Sequence, residues 1–224
     1  MANTPLTPDD LRFFDRDDDF SIRWNRLPHW TQAGTVVFIT WRTEDSMPQS
    51  VVRQWLSDRD DILRSHGINP QGDWRARVSA LPLNHSLRIK WQLINRFDER
   101  LDDCHGACLL RRPDVATIVS DSLLKFDGDR YLLTDFCVMP NHIHLLAAFR
   151  TEELATQQIA GWKRFQARQI NTLLDLNGAF WKHQSFDHLV RSECQFQHLR
   201  RYIANNGIHG HVPADEFTHW TREL

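Results

Sequence analysis

His142 and His144 stand one residue apart in an otherwise apolar run, residues 136–149, that is interrupted only by the turn-prone pair Pro140-Asn141. In a strand, side chains at i and i+2 share a face. The two imidazoles are therefore presented side by side while Ile143 turns to the core, which makes half of a divalent-metal site. Two hydrogen-bonded histidines on a sheet face would satisfy the same spacing, since each ring nitrogen needs a partner once it leaves water. The rest of the chain decides between these readings. It holds only two tyrosines, Tyr131 and Tyr202. Tyr131 opens a strand, where an aromatic ring packs well. Tyr202 lies on a helical stretch, sharing a face with His198 one turn before and Asn206 one turn after.

A tyrosine, an amide and two strand histidines make a coherent set for phosphoryl transfer. Neutral imidazoles bind a hard divalent ion, and the Asn206 carbonyl oxygen can add a third ligand while positions stay open for phosphate and water. Such an ion polarises a phosphodiester for in-line displacement, with Tyr202 as the attacking group. A phenol has an unperturbed pKa of about 10, so roughly one part in a thousand is ionised at neutral pH unless a cation favours the anion. What tyrosine offers over water is a covalent ester, which retains one DNA end and can pass it to another 3′ hydroxyl without an external energy source.

These residues need a sheet and a returning helix. Residues 35–41 are β-branched and aromatic and read as a central strand. Pro48 opens a helix through Val52, Trp55, Leu56, Ile62 and Leu63, with Gly67 as its stop. A helix is expected over 87–101, and Pro113 starts a core helix through Val115, Ile118, Val119 and Phe126. Residues 130–139 and 142–149 read as an antiparallel hairpin. Thr151 caps a helix whose buried stripe is Ala155, Ile159, Trp162, Phe165 and Ile170. Its polar side carries Lys163, Arg164 and Arg168, candidates for phosphate contact along with Arg191. Residues 180–191 arrive at a sheet edge. Ser192 and Gln195 then have capping-box spacing for the helix that carries Phe196, Leu199, Ile203 and Tyr202, which Gly207 should terminate.

Length and composition fit one α/β (α+β) domain. The reading is an N-terminal arm over 1–26, a core over 27–208 with an insertion at 68–110, and a surface-bound tail over 209–224. The apolar fraction is 41% and the charged fraction 25%, ordinary for a soluble protein, and no run is long enough to span a bilayer. No secretory signal opens the chain, so a cytoplasmic location is expected. Cys104, Cys108, Cys137 and Cys194 lack framework spacing, and no second pair completes a zinc site around Cys104-His105-Gly106-Ala107-Cys108. The net charge of −2 averages an acidic start, six aspartates against two arginines over residues 9–19, with a basic stretch, eight Lys/Arg against five Asp/Glu over 150–202. That argues against a nonspecific nucleic-acid coat and leaves room for a locally basic face.

In combination, Met139-Pro140-Asn141-His142-Ile143-His144-Leu145-Leu146, Trp162-Lys163-Arg164-Phe165, Phe180-Trp181, Ser185-Phe186-Asp187-His188-Leu189-Val190-Arg191 and Arg201-Tyr202-Ile203-Ala204-Asn205-Asn206 resemble the single-tyrosine HUH transposases. The REP-associated tyrosine transposases, relatives of the insertion-sequence-200-like enzymes, are the nearest subgroup, and the resemblance runs from Leu27-Pro28-His29-Trp30 to Asn206. It implies a ferredoxin-like sandwich with a central antiparallel sheet, His142, His144 and Asn206 as ligands of Mg²⁺ or Mn²⁺, and Tyr202 as nucleophile. It also implies cleavage of single-stranded DNA beside palindromic hairpins through a 5′-phosphotyrosine, by a monomer or homodimer associated with the nucleoid. A hairpin-binding module without catalysis is the alternative. Three features depart from the family pattern: Gly207 where proline is common, the length of 68–108, and a second H-x-H spacing at His209-Gly210-His211, read as a surface pair.

Overall fold

The structure is a computed structural model that describes residues 5–24 and 28–224; Leu27, where the family resemblance begins, lies outside them. In chain order the elements are β1 (Ser21–Trp24), β2 (Pro28–Thr31), β3 (Val36–Arg42), α1 (Gln49–Ser65), α2 (Trp74–Ala80), α3 (Leu83–Asp102), α4 (Pro113–Leu124), β4 (Tyr131–Val138), β5 (His142–Phe149), α5 (Glu152–Leu174), β6 (Phe186–Leu189), α6 (Glu193–His209) and β7 (Thr218–Thr221), with 3-10 turns at Pro8–Asp10 and Leu109–Arg111. The chain forms two compact units: the described residues up to Glu44 together with Cys108–Leu224, and Asp45–Ala107.

The first unit is built on a five-stranded antiparallel sheet of order β6-β3-β5-β4-β7. Without β7, the sequence β3, α4, β4, β5, α5, β6 in the order β6-β3-β5-β4 is the ferredoxin-like arrangement the resemblance implies. Every residue of β4 and β5 is buried, because helices cover both faces of the sheet. Val37, Ile39, Trp41, Ile143, Leu145 and Ala147 pack with Val115 and Val119 of α4 and Trp162 and Ile170 of α5. Val36, Phe38, Leu146 and Ala148 point the other way, onto Phe196, Leu199 and Ile203 of α6. Strand alternation thus sends His142 and His144 to the α6 face and Ile143 to the α4/α5 face.

A β-bulge between Leu133 and Asp135 breaks the alternation of β4. Tyr131 and Leu133 face α4 and α5, and so does Phe136. The extra residue, Thr134, therefore turns Asp135 onto the α6 face, an effect typical of bulges.

Several local expectations differ from the structure. Phe165 is 40% exposed, and the neighbouring Gln166 is buried in its place because its Nε2 donates to Ser122 Oγ at 2.8 Å, beside the Trp162 indole, which donates to the Ser122 carbonyl at 3.1 Å. Gly207 does not stop α6, which continues to His209 with Gly210 as cap. Gly207 serves packing instead, since a methyl there would overlap the Phe217 ring. The stretch after 209 is not a surface tail: β7 pairs with β4 from Asp135↔Thr221 to Val138↔Thr218, and Trp220 stacks on Phe136 at 5.6 Å. Nor is 1–26 an open arm over its described length. Leu6 is buried with its amide donating to Gly128 O, Arg12 bridges Thr35, and β1 pairs with β2.

The second unit begins at Asp45, earlier than the 68–110 segment the sequence sets apart, and includes α1. Leu63, Ile68, Val78 and Ile89 form its small core. Arg100 of α3 donates through Nε and Nη2 to Asp58 Oδ2 of α1 at 3.2 and 2.7 Å. Among the described residues no helix is long and apolar enough to cross a membrane.

Candidate active site

His142 and His144 sit at the start of β5, fully buried, with ring centroids 4.7 Å apart. Each is fixed through Nδ1. Asn141 Oδ1 lies 2.8 Å from Nδ1 of His142, so the proton belongs on Nδ1 and the lone pair on Nε2. Thr40 Oγ1 of β3 lies 2.7 Å from Nδ1 of His144 across the Thr40↔His144 register pair. Phe38 stacks on the His144 ring at 5.4 Å and closes its other side. Burial drives the pKa of His142 down to about 3, offset in small part by the Asn206 side chain, and holds that of His144 well below the ordinary histidine value. Both rings are neutral at physiological pH, the state in which imidazole ligates metal.

Tyr202 reaches this pair from α6. Its hydroxyl is 3.4 Å from Nε2 of His144, with ring centroids 5.3 Å apart. Ser192 sets the phase of α6: its hydroxyl accepts from Gln195 N at 3.2 Å, and Gln195 Oε1 accepts from Arg191 N at 2.8 Å. With Phe196, Leu199 and Ile203 buried against the sheet, Tyr202 and Asn206 fall one turn apart on the side that meets β5.

Asn206 is fully buried, and neither Oδ1 nor Nδ2 has a hydrogen-bond partner within bonding geometry among the described residues. The amide lies near enough to His142 to favour its protonated form slightly against burial, yet forms no hydrogen bond with it within bonding geometry. An unsatisfied buried amide costs about 1–3 kcal/mol, an expense that a ligand to its oxygen removes. Among the described residues no three His, Cys, Asp or Glu side chains cluster as a metal site. Two neutral imidazoles with fixed Nδ1 atoms plus an unengaged amide oxygen are the donor set here, and they fit an ion such as Mg²⁺ or Mn²⁺ that completes its shell with phosphate and water.

The structure therefore brings together four of the residues singled out in the sequence, His142, His144, Tyr202 and Asn206. It does not bring the basic candidates to them. Lys163, Arg164 and Arg168 lie on α5, across the sheet. Lys163 is engaged, its ammonium donating to the carbonyls of Lys182 and His183 at 2.6 and 2.8 Å, with its pKa lowered to about 8 chiefly by burial. Arg164 and Arg168 are exposed and without an ion pair among the described residues, and Arg191 is exposed beside the α6 cap. His198 is exposed, as are His209 and His211. Thr40 and Phe38 carry no signal in the sequence, because only strand register reveals their neighbours. Asn141 has the look of a turn residue alone, though its adjacency to His142 is a usable signal.

Residues 116–206, which hold all four side chains, match the family model described as "Transposase IS200 like". The chain is similar to the structure of a REP-associated tyrosine transposase bound to a REP hairpin, with 12% identity and a TM-score of 0.42 over 83% of this chain and 73% of that one. It is also similar to a proposed transposase from Deinococcus radiodurans R1, with 13% identity and a TM-score of 0.29 over 76% of this chain and 89% of that one. No curated protein matches the sequence.

Proposed function

We propose, from the match of residues 116–206 to the IS200-like transposase family model, that the chain is a metal-dependent single-stranded DNA endonuclease and strand transferase of the REP-associated tyrosine branch. On this reading it acts in the cytoplasm beside palindromic hairpins in the nucleoid, as a monomer or homodimer. The observation that carries the reading is the 3.4 Å approach of the Tyr202 hydroxyl to His144 Nε2, in a site where His142 and an unengaged Asn206 amide complete a donor set.

His142, His144 and Asn206 would hold Mg²⁺ or Mn²⁺, which when bound polarises the scissile phosphate and offsets charge building on its oxygens. Tyr202 Oη attacks phosphorus, the Tyr–O–P bond forms, and the P–O3′ bond breaks. The phenolic proton is balanced by one taken up by the departing 3′ oxygen. The 5′ phosphate stays on Tyr202 until a 3′ hydroxyl attacks and returns the phenol. Asn141 and Thr40 orient the imidazoles, and Phe38 keeps water from the flank of His144. Arg164, Arg168 and Arg191, with Lys163, are the candidates for backbone contact.

The test is incubation with Mn²⁺ and end-labelled single-stranded hairpin DNA. The expected result is a covalent adduct that disappears in Tyr202→Phe and in His142→Ala, with hairpin binding retained. Tight binding by the wild-type protein with no adduct would instead identify a hairpin-binding module.

A further inference from the structure

α6 carries the nucleophile, and an apolar stripe alone leaves a helix free to roll on a sheet by part of a turn. This helix has a polar anchor two residues before Tyr202. Arg200 Nε donates to both oxygens of Asp135 at 3.1 and 3.0 Å, while its Nη2 donates to Thr221 Oγ1 at 2.8 Å and to the Arg222 carbonyl at 2.7 Å. Thr221 in turn donates to Asp135 Oδ1 at 2.6 Å. Asp135 is 1% exposed and would face α4 and α5 but for the Thr134 bulge that turns it toward α6. A rigid guanidinium fork with four acceptors, on β4, on β7 and at the residue just after β7, fixes both the rotation and the height of the helix. One turn past Tyr202, the Phe217 ring fills the notch that Gly207 leaves.

We propose that Arg200, through Asp135 and Thr221, is a positioning residue that holds Tyr202 over the histidine pair of its own chain. The C-terminal strand β7 is then part of the device that aims the nucleophile. This rests on the proposed function only where chemistry is the readout.

Because the chain has two tyrosines, biosynthetic 3-fluorotyrosine labelling gives two ¹⁹F signals, with buried Tyr131 as an internal reference. In Arg200→Ala the Tyr202 signal is expected to shift and broaden while that of Tyr131 stays in place. The single-turnover rate constant for adduct formation on hairpin DNA with Mn²⁺ should fall by about a hundredfold, the order expected when a reacting group moves by roughly an ångström. Hairpin affinity should be unchanged. Arg200→Lys should recover part of both signals, and Thr221→Val, which leaves the Arg200–Asp135 fork in place, should give an intermediate effect even if Arg200→Ala folds poorly. A purely structural role would lower melting temperature and the yield of adduct, leaving the rate constant and the Tyr202 resonance of the folded fraction as in wild type; that result overturns the proposal. If the wild-type protein forms no adduct but the Tyr202 resonance still moves in Arg200→Ala, the nuclease reading fails and the positioning role stands.

Discussion

The Thr40 hydroxyl meets Nδ1 of His144 at 2.7 Å from the neighbouring strand, so the orientation of one candidate ligand is set by a residue 104 positions away. Outer partners of this kind hold the ring and its tautomer, and their loss commonly costs about 10–100-fold in metal affinity or activity.

Thr40→Val keeps the volume and removes the hydroxyl. Mn²⁺ affinity measured by calorimetry should fall by about that 10–100-fold, and the metal-free protein should lose about 1–3 kcal/mol because Nδ1 is left buried without its partner. Equal Mn²⁺ affinity in the two proteins would remove Thr40 from the site.

Asn206→Leu should separate stability from activity. Replacing a buried amide whose polar atoms are unengaged with an apolar side chain is expected to raise stability in the presence of chelator by about 1 kcal/mol. Covalent adduct should be lost. A variant that is less stable in chelator would show that the amide serves the fold rather than a ligand.

The two tyrosines should behave oppositely. Tyr131 donates its hydroxyl to the Leu123 carbonyl at 2.6 Å in the core, and burial pushes its pKa up to about 12. Tyr131→Phe should therefore cost about 0.5–1.5 kcal/mol in urea denaturation and leave adduct formation intact, whereas Tyr202→Phe should abolish the adduct at nearly unchanged stability.

The buried imidazoles should make the metal-free protein lose stability in acid, against the opposing contribution of Asp102, whose carboxyl pKa is raised by burial to about 7. His142 is held down to about 3 by burial, and His188 down to about 4 by burial and then by Arg191, against an unfolded value of about 6.5. Between these values the unfolded chain binds protons that the folded one does not, so stability rises with pH. It is complete above about pH 6.5 and lost as pH falls toward 4 and then 3. Urea midpoints recorded in chelator from pH 7 to pH 4.5 should fall steadily, and His188→Gln should flatten the slope. An unchanged slope in His188→Gln would contradict a neutral imidazole at that position in the folded state.

Removing both Arg164 and Arg168 tests the α5 face. If each contacts a DNA phosphate, the slope of log affinity against log salt should shrink by about 1.4 for single-stranded DNA. An unchanged slope would move the DNA path to the α6 side of the sheet.

What the sequence revealed was local. The caps at Thr151 and Ser192, the alternation in 142–149 and the helical spacing from Tyr202 to Asn206 are set by neighbours within a few residues, and the structure has them where that spacing puts them. What it concealed depends on distant strands. Thr40 gains its meaning only from the β3–β5 register, and Gly207 reads as a helix stop until Phe217 is seen against it. Thr218–Thr221, short and polar, looks like a tail until the open edge of β4 supplies its partner. Phe165 and Gln166 show the same limit inside one helix: periodicity marks the apolar residue for burial, while Ser122 on another helix buries the amide.

The pairing of β7 with β4 also has a temporal side. Asp135 and Thr221 are 86 positions apart, so at about 5–20 residues per second a ribosome delivers the second only several seconds or more after the first. For that interval the edge of β4 is bare and the helix bearing the phenol has no clasp. A nascent chain holds Tyr202 without this support until β7 has been made, and the uncovered edge of β4 is the place where a stray strand from another chain would pair.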